Sequence, residues 1–273
     1  MTACNAGQHI AESIESVLKQ SFNDFELIVV NTGSIDEIRT IIDSFGDKRI
    51  RLLDSSHDRI QSINWGINAS TGKYIALHDA GSIMHIDRLK LQYTMMEEFP
   101  EIAICSSWET VFGEKLPKRI IEQKVSGLLE MPLVQLLFED IIIHPAYTIR
   151  RSFITEHQLF FENCDRAEDY QFWVETAKRD GGIYIDSCPL VYRRLNDSTV
   201  LRNHRLEKIR SISGIKKEIL LFLCKKYEAT YPELTDLFHS YTKMRNHQLV
   251  TEEDIYKQFH SIFIKNRDTF TSL

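Results

Sequence analysis

The sequence predicts an α/β fold: a mostly parallel sheet with helices on both faces, followed by a helical C-terminal appendage. Two observations predict the sheet. Helix and strand signals alternate through the first half of the 273-residue chain, as they do in parallel βαβ units. The strand "FELIVVN" is almost continuously apolar, the pattern of a strand buried on both faces. A third observation sets the boundary: from about Arg202 only helical periodicity remains. The expected division is therefore a domain over 1–201 and a helical region over 202–273.

Each element has its own signal. Ile10, Ile14, Val17 and Leu18 lie at helical spacing and predict a helix over 8–20. After "FELIVVN", "TGS" turns the chain into the helix "IDEIRTIIDSF", and "KRIRLLD" is the next strand. "RIQSINWGINAS" reads as a helix, "YIALHD" as a short strand ending on Asp79, and "DRLKLQYTMMEEF" as a helix that Pro100 closes. "EIAICSSW" is a further strand, and "IIIHPAYTIRRSFI" a strand running into a helix. "AEDYQFWVETAKRD" is a helix with Tyr170, Trp173, Val174 and Ala177 on one face. Pro189 marks "IYIDSCPLVYRR" as an edge or bulged strand. Three helical segments follow: "HRLEKIRSISGIKKEILLFLCKKY", "PELTDLFHSYTKMRN" and "TEEDIYKQFHSIFIKNR".

Bulk properties narrow the function. A net charge of −6 excludes the basic face of a dedicated nucleic-acid binder. The five cysteines are scattered, odd in number and form no CxxC, which points to free thiols in a reducing compartment. No apolar run approaches the ~20 residues of a membrane span, and the first residues show neither a basic nor an apolar leader region. These features lead to an expectation of a cytoplasmic protein. The lysines of "IKKEILLFLCKKY" suit either a peripheral contact with an anionic membrane surface or a helix laid over the main domain.

An ordered series of blocks then carries a resemblance. "NAGQHIAESIESVLKQSFNDFELIVVNTGS", "INWGINASTGKYIALHDAGSIMHIDRLKLQ", "IIIHPAYTIRRSFI", "AEDYQFW" and "PLVYRR" resemble, over roughly residues 2–200, the family 2 glycosyltransferases of GT-A fold. The resemblance implies binding of a nucleotide-diphosphate sugar at the C-terminal edge of the sheet, with Mn2+ or Mg2+ as cofactor. It also implies inverting transfer to a glycan or lipid-linked acceptor, in surface polysaccharide or lipopolysaccharide synthesis. By resemblance Thr2, Ala3, Asn5, Asn31, Thr32, Asp79 and Arg193 lie on the donor side. Asp79 is also the metal-ligand candidate, Asp169 the general base and Glu168 its supporting acid. A carboxylate at a helix start is favoured by the helix dipole. His144 and Trp108 are acceptor-side candidates, Trp108 by stacking on a sugar, and His144 is read equally as a residue that ends a strand.

The departures from the family pattern fall on the chemistry, among them Asp58 where the family has a glycine and Leu195 where it often has a histidine. Gly81 stands where the Asp-x-Asp motif has its second carboxylate, and Asn31-Thr32 where the family has Asp-Asp. The family also has a complete strand ahead of the position of "MTACN", so the resemblance implies a start upstream of Met1 or a truncated copy. The rival expectation is a non-catalytic relative that binds a nucleotide sugar, a glycan or a protein partner without turnover.

Overall fold

The computed structural model describes residues 1–56, 58–113, 116–129, 131–138, 142–164, 167–195 and 205–227. The first half runs β1 (Thr2–Ala3), α1 (Gly7–Leu18), β2 (Leu27–Asn31), α2 (Ile38–Ser44), β3 (Ile50–Asp54), α3 (Arg59–Ala69) and β4 (Tyr74–Ala76). Then come β5 (Ser82–Met84), α4 (Arg88–Glu98), β6 (Ile102–Gly113), β7 (Leu116–Ile121), β8 (Gly127–Leu128) and α5 (Pro132–Phe138). β9 (Thr148–Arg150), α6 (Arg151–His157), α7 (Glu168–Lys178), β10 (Gly182–Arg194) and α8 (Arg205–Tyr227) complete the described chain.

The strands form two ladders. β1, β2 and β3 pair in parallel in that order. All five residues of β2 are buried, as its apolar run requires. The second ladder has the order β4-β9-β6-β10-β5, with β7 on β6 and β8 on β10. Here the pairing is mixed: β6 and β10 run parallel, whereas β4–β9, β6–β9, β6–β7 and β10–β5 are antiparallel. The largely parallel arrangement expected for the whole sheet thus belongs to its first half. β6 and β7 are separated by only two residues, a link too short for a parallel crossover. β10 is bulged at Pro189, where its register against β6 shifts, but it lies inside the ladder between β6 and β5 rather than at an edge. A proline fits there because the bulge releases the ladder position that would need its missing N–H.

The main core lies between the second ladder and the helices. α7 buries Tyr170, Phe172, Trp173, Val174 and Ala177, each large side chain contributing about 1.5–3 kcal/mol. α8 lies against α5 and α7 with Ile215, Ile219, Leu220 and Leu223 buried. Its apolar stripe therefore faces the main domain, the second of its two expected roles. The helices expected from "PELTDLFHSYTKMRN" and "TEEDIYKQFHSIFIKNR" lie outside the described residues. No helix among the described residues is long and apolar enough to cross a membrane. Between β2 and β4 a cleft of about 470 Å3, flanked by Leu27, Ile28, Tyr74 and Ile75, runs up to Asp79 and His144.

Candidate active site

Three segments converge at the C-terminal ends of β1 and β4. β4 ends at Ala76, and three residues further the backbone of Asp79 makes a parallel bridge to Thr2 of β1. The second segment is the loop Ile142–Tyr147 ahead of β9, and the third is the start of α7, where Glu168 and Asp169 form the acidic first turn. A buried pair on α4 holds the first two together. Arg88, fully buried, donates to the carbonyls of Leu77 (2.9 Å) and Tyr147 (3.2 Å) and to Gln92 Oε1 (3.1 Å). Gln92, one helical turn on, donates to the carbonyls of Ala146 (2.9 Å) and Cys105 (3.1 Å) and accepts from Thr148 Oγ1 (2.7 Å).

His144 joins the two acids. Its Nε2 lies 2.9 Å from Asp79 Oδ1 and its Nδ1 lies 3.0 Å from Asp169 Oδ1. Ionised carboxylates only accept, so both ring nitrogens donate and the ring is an imidazolium. Burial alone would lower the His144 pKa; the charges of Asp79 and Asp169 and the bonds to them outweigh it and bring the imidazole up to about 10. The Tyr147 hydroxyl adds a second donor to Asp169 Oδ1, at 2.6 Å. Burial would raise the Asp169 carboxyl, but the His144 charge and the bonds from His144 and Tyr147 keep it below the usual range. Asp79 follows the same balance and is held far below that range, with His144 again the dominant favourable partner. Burial and the Asp169 charge push the Tyr147 phenol well above its ordinary value. Asp169 Oδ2 makes no hydrogen bond among the described residues.

Arg59 opens α3 on the other side of the site. Its guanidinium is half exposed, stands 4.0 Å from Glu168 Oε2 and acts electrostatically on both Asp79 and Asp169. Among the described residues Asp79, Glu168 and Asp169 thus have His144 and Arg59 as cationic neighbours, and Asp79 also feels the charges of Arg88, Arg193 and the Met1 amino group.

The remaining expected residues divide into two groups. Asn31 and Thr32 are tied within the loop junction: Asn31 Nδ2 donates to Asp54, its Oδ1 accepts from the Ser34 N–H, and Thr32 bonds the Ala3 carbonyl. Asn5, in a left-handed conformation, accepts from the Ile35 N–H and donates its own N–H to Ser34. Arg193 pairs across the ladder with Ser82, next to Gly81, but its fork grips the buried Glu109 at 2.5 and 2.7 Å. Trp108 sits half-buried on β6 against the main core. Sequence reasoning assigned no role to Tyr147, Arg59 or Arg88. Tyr147 alone had an available signal, because "HPAY" places it three residues after His144 and next to the following strand.

The donor set also bears on a divalent ion. Such ions take oxygen ligands. Asp79 Oδ1 already accepts from His144, and Gly81 offers no side chain, so one oxygen of Asp79 is what this edge provides. No group of three His, Cys, Asp or Glu residues that could hold an ion is present among the described residues. One carboxylate oxygen fits an ion that keeps its waters and arrives bound to a diphosphate, as Mg2+ does.

The mixed α/β sheet with its acid at the C-terminal edge is the GT-A architecture. It superposes on Staphylococcus aureus TarS residues 1–349 in complex with UDP with a TM-score of 0.63, at 16% identity, covering 85% of this chain and 71% of that one. The sequence profile of Glycosyl transferase family 2 matches residues 1–159, and the chain belongs to that family. An uncharacterized glycosyltransferase of Haemophilus influenzae is 30% identical over 238 residues, 82% of this chain and 73% of its own length. The Escherichia coli UDP-Glc:alpha-D-GlcNAc-diphosphoundecaprenol beta-1,3-glucosyltransferase WfgD is 25% identical over 213 residues, 74% of this chain and 78% of its own. The chain is therefore a glycosyltransferase, and members of this family generally use a divalent metal.

Proposed function

We propose that the protein moves a sugar from a nucleotide-diphosphate donor to a hydroxyl of a glycan or lipid-linked acceptor, with inversion, in surface polysaccharide or lipopolysaccharide synthesis. The observation that carries this reading is the pair of hydrogen bonds that holds Asp169 Oδ1 and leaves Oδ2 open. Asp169 Oδ2 takes the proton of the acceptor hydroxyl as the acceptor oxygen bonds the anomeric carbon. The bond from that carbon to the diphosphate breaks, and the nucleoside diphosphate leaves with the electron pair. A base within hydrogen-bond reach of the hydroxyl contributes ~10²–10⁴-fold.

Asp79 supports the donor side, with Thr2 beside it in the ladder. It would also hold the divalent ion, which when bound neutralises charge on the leaving diphosphate. Glu168 keeps Arg59 over the mouth of the site, where the guanidinium can meet a phosphate. The lipid-linked acceptor of WfgD and the UDP bound to TarS support the choice of donor and acceptor class.

Calorimetric titration with UDP-, GDP- and dTDP-sugars, with and without Mn2+, tests the donor. Nucleoside diphosphate release in the presence of a diphospholipid-linked sugar tests the transfer. Metal-stimulated binding with release supports the enzyme. Binding of a donor without release to any acceptor, or to water, would favour a binding protein instead.

A further inference from the structure

We propose that His144 is a positioning residue for the transfer, one that ties the donor-side carboxylate to the base so that a seated donor finds the base already aimed. The proposal rests on the glycosyltransferase reading above and concerns a residue that touches neither substrate in that reading. Its ground is geometric. Each ring nitrogen is spent on a different acid, Nε2 on Asp79 and Nδ1 on Asp169, and both bonds go to Oδ1. Fixing one oxygen of a carboxylate fixes the direction of the other. The two Oδ2 atoms therefore keep a set relation to each other through one planar ring, although their residues are 90 positions apart (169 − 79).

The ring itself is anchored. Its loop is held by the Ala146 N–H bonded to the Ile143 carbonyl at 2.8 Å, and by Gln92 on the Ala146 carbonyl. Pro145, Ala146 and Tyr147, which follow it, are all buried. The imidazole is thus the fixed member and the carboxylates are the ones aligned to it. A ring present only to fill space or end a strand would need no donor on both nitrogens. Without it the two acids would face each other with no charge between them. Misplacement of a reacting group by about 1 Å is enough to cost ~10²-fold.

The test uses the full chain and the variants His144→Gln and His144→Gly. Nucleoside diphosphate release is followed from UDP-glucose, UDP-N-acetylglucosamine, GDP-mannose and dTDP-rhamnose with Mn2+, and stability is read by urea unfolding. His144→Gln, which keeps one donor, is expected to lower kcat roughly 10–100-fold and to change donor KM by less than about fivefold. Added imidazole is expected to restore His144→Gly, whereas N-methylimidazole, which even when protonated has a single N–H to give, does not. Should His144→Gly fail to fold, the kcat-against-KM split in His144→Gln decides alone. Unchanged kcat in His144→Gln, or equal rescue by the two azoles, overturns the positioning role. A wild-type protein that neither binds nor cleaves any of the four donors overturns the glycosyltransferase reading and this inference with it. An active wild type matched by His144→Gln overturns this inference alone.

Discussion

The Tyr147 hydroxyl donates a 2.6 Å hydrogen bond to Asp169 Oδ1, the oxygen that also accepts from His144. Two donors on one oxygen immobilise the carboxylate and leave its other oxygen without a hydrogen bond among the described residues. Removing one donor has a defined consequence. Tyr147→Phe keeps the buried ring and its edge-on packing against Trp173 but deletes a bond to an ionised acceptor, worth about 1.5–3 kcal/mol. The Asp169 carboxyl then rises toward its ordinary value. The acid limb of the kcat/KM profile is expected to move to higher pH, with a fall in kcat of roughly tenfold. An acid limb at the wild-type position, measured by nucleoside diphosphate release, would show that the bond does not act on the base.

Arg88 carries a different kind of dependence. It is fully buried and bonds the Leu77 and Tyr147 carbonyls, so it fastens the acid-bearing turn to the "HPAY" loop. Arg88→Met preserves volume but strips a donor from all three acceptors; Gln92 Oε1 keeps Thr148 and the Tyr147 carbonyl keeps the Leu77 N–H, so the full cost of about 1–3 kcal/mol falls on the Leu77 carbonyl. Relief from burying the charge offsets part of that cost. We expect a net loss of about 1–3 kcal/mol in urea unfolding, together with loss of transfer. A variant as stable as wild type would mean that the loop is held from elsewhere.

These residues also show what was legible in the sequence. α1, α3, α4 and α7 follow from apolar residues at helical spacing, and β2 from a continuous apolar run, because those patterns are local. β5, β7 and β8 carry no such pattern; β5 and β8 are short and owe their existence to the distant β10, whereas β7 pairs with the adjacent β6. Asp79 and Asp169 are singled out in the sequence by their blocks alone. That His144 lies between them was not legible, since its bonds span 65 and 25 positions. The partner of Arg193 was hidden for a related reason: its carboxylate, Glu109, lies 84 positions away. Nothing local in the sequence shows that Arg88 points inward.

Gly81 has φ +121°, a conformation that L side chains rarely adopt, although the space beside it is open, with His9 Cβ at 4.0 Å. Restoring the family's carboxylate there is therefore not a simple gain. Gly81→Asp and Gly81→Ala are both expected to lose about 1–3 kcal/mol in urea unfolding from backbone strain. Any difference in Mn2+ affinity between them reports the added carboxylate alone. A Gly81→Ala variant at wild-type stability would show that this turn adopts a relaxed backbone in solution.

Metal binding should depend on the donor. With one oxygen of Asp79 to offer, the protein alone is expected to bind Mn2+ too weakly for calorimetry at micromolar protein, and binding is expected to appear when UDP is added. Chelation with EDTA should then lower UDP affinity, and Asp79→Asn should abolish the difference between metal-loaded and metal-free titrations. Tight Mn2+ binding in the absence of nucleotide would point to ligands other than Asp79.

The last expectation concerns pH. The His144 imidazole is raised from about 6.5 to about 10 in the folded protein by Asp79 and Asp169. A raised pKa means that the native state holds a proton which the unfolded chain gives up. The stabilising contribution is therefore complete below pH 6.5 and is lost as pH rises through about 10. Over that interval one extra native-state proton makes stability fall by at most about 1.4 kcal/mol per pH unit. The two carboxylates behave oppositely: lowered in the folded state, they contribute above their ordinary values and lose that contribution only as the solution becomes more acid. The stability difference between wild type and His144→Gln should be flat from about pH 5 to 6.5 and shrink toward pH 10. Urea unfolding at half-unit intervals measures it. A difference that stays constant to pH 10 would mean that the ring is not held as a cation between the two acids.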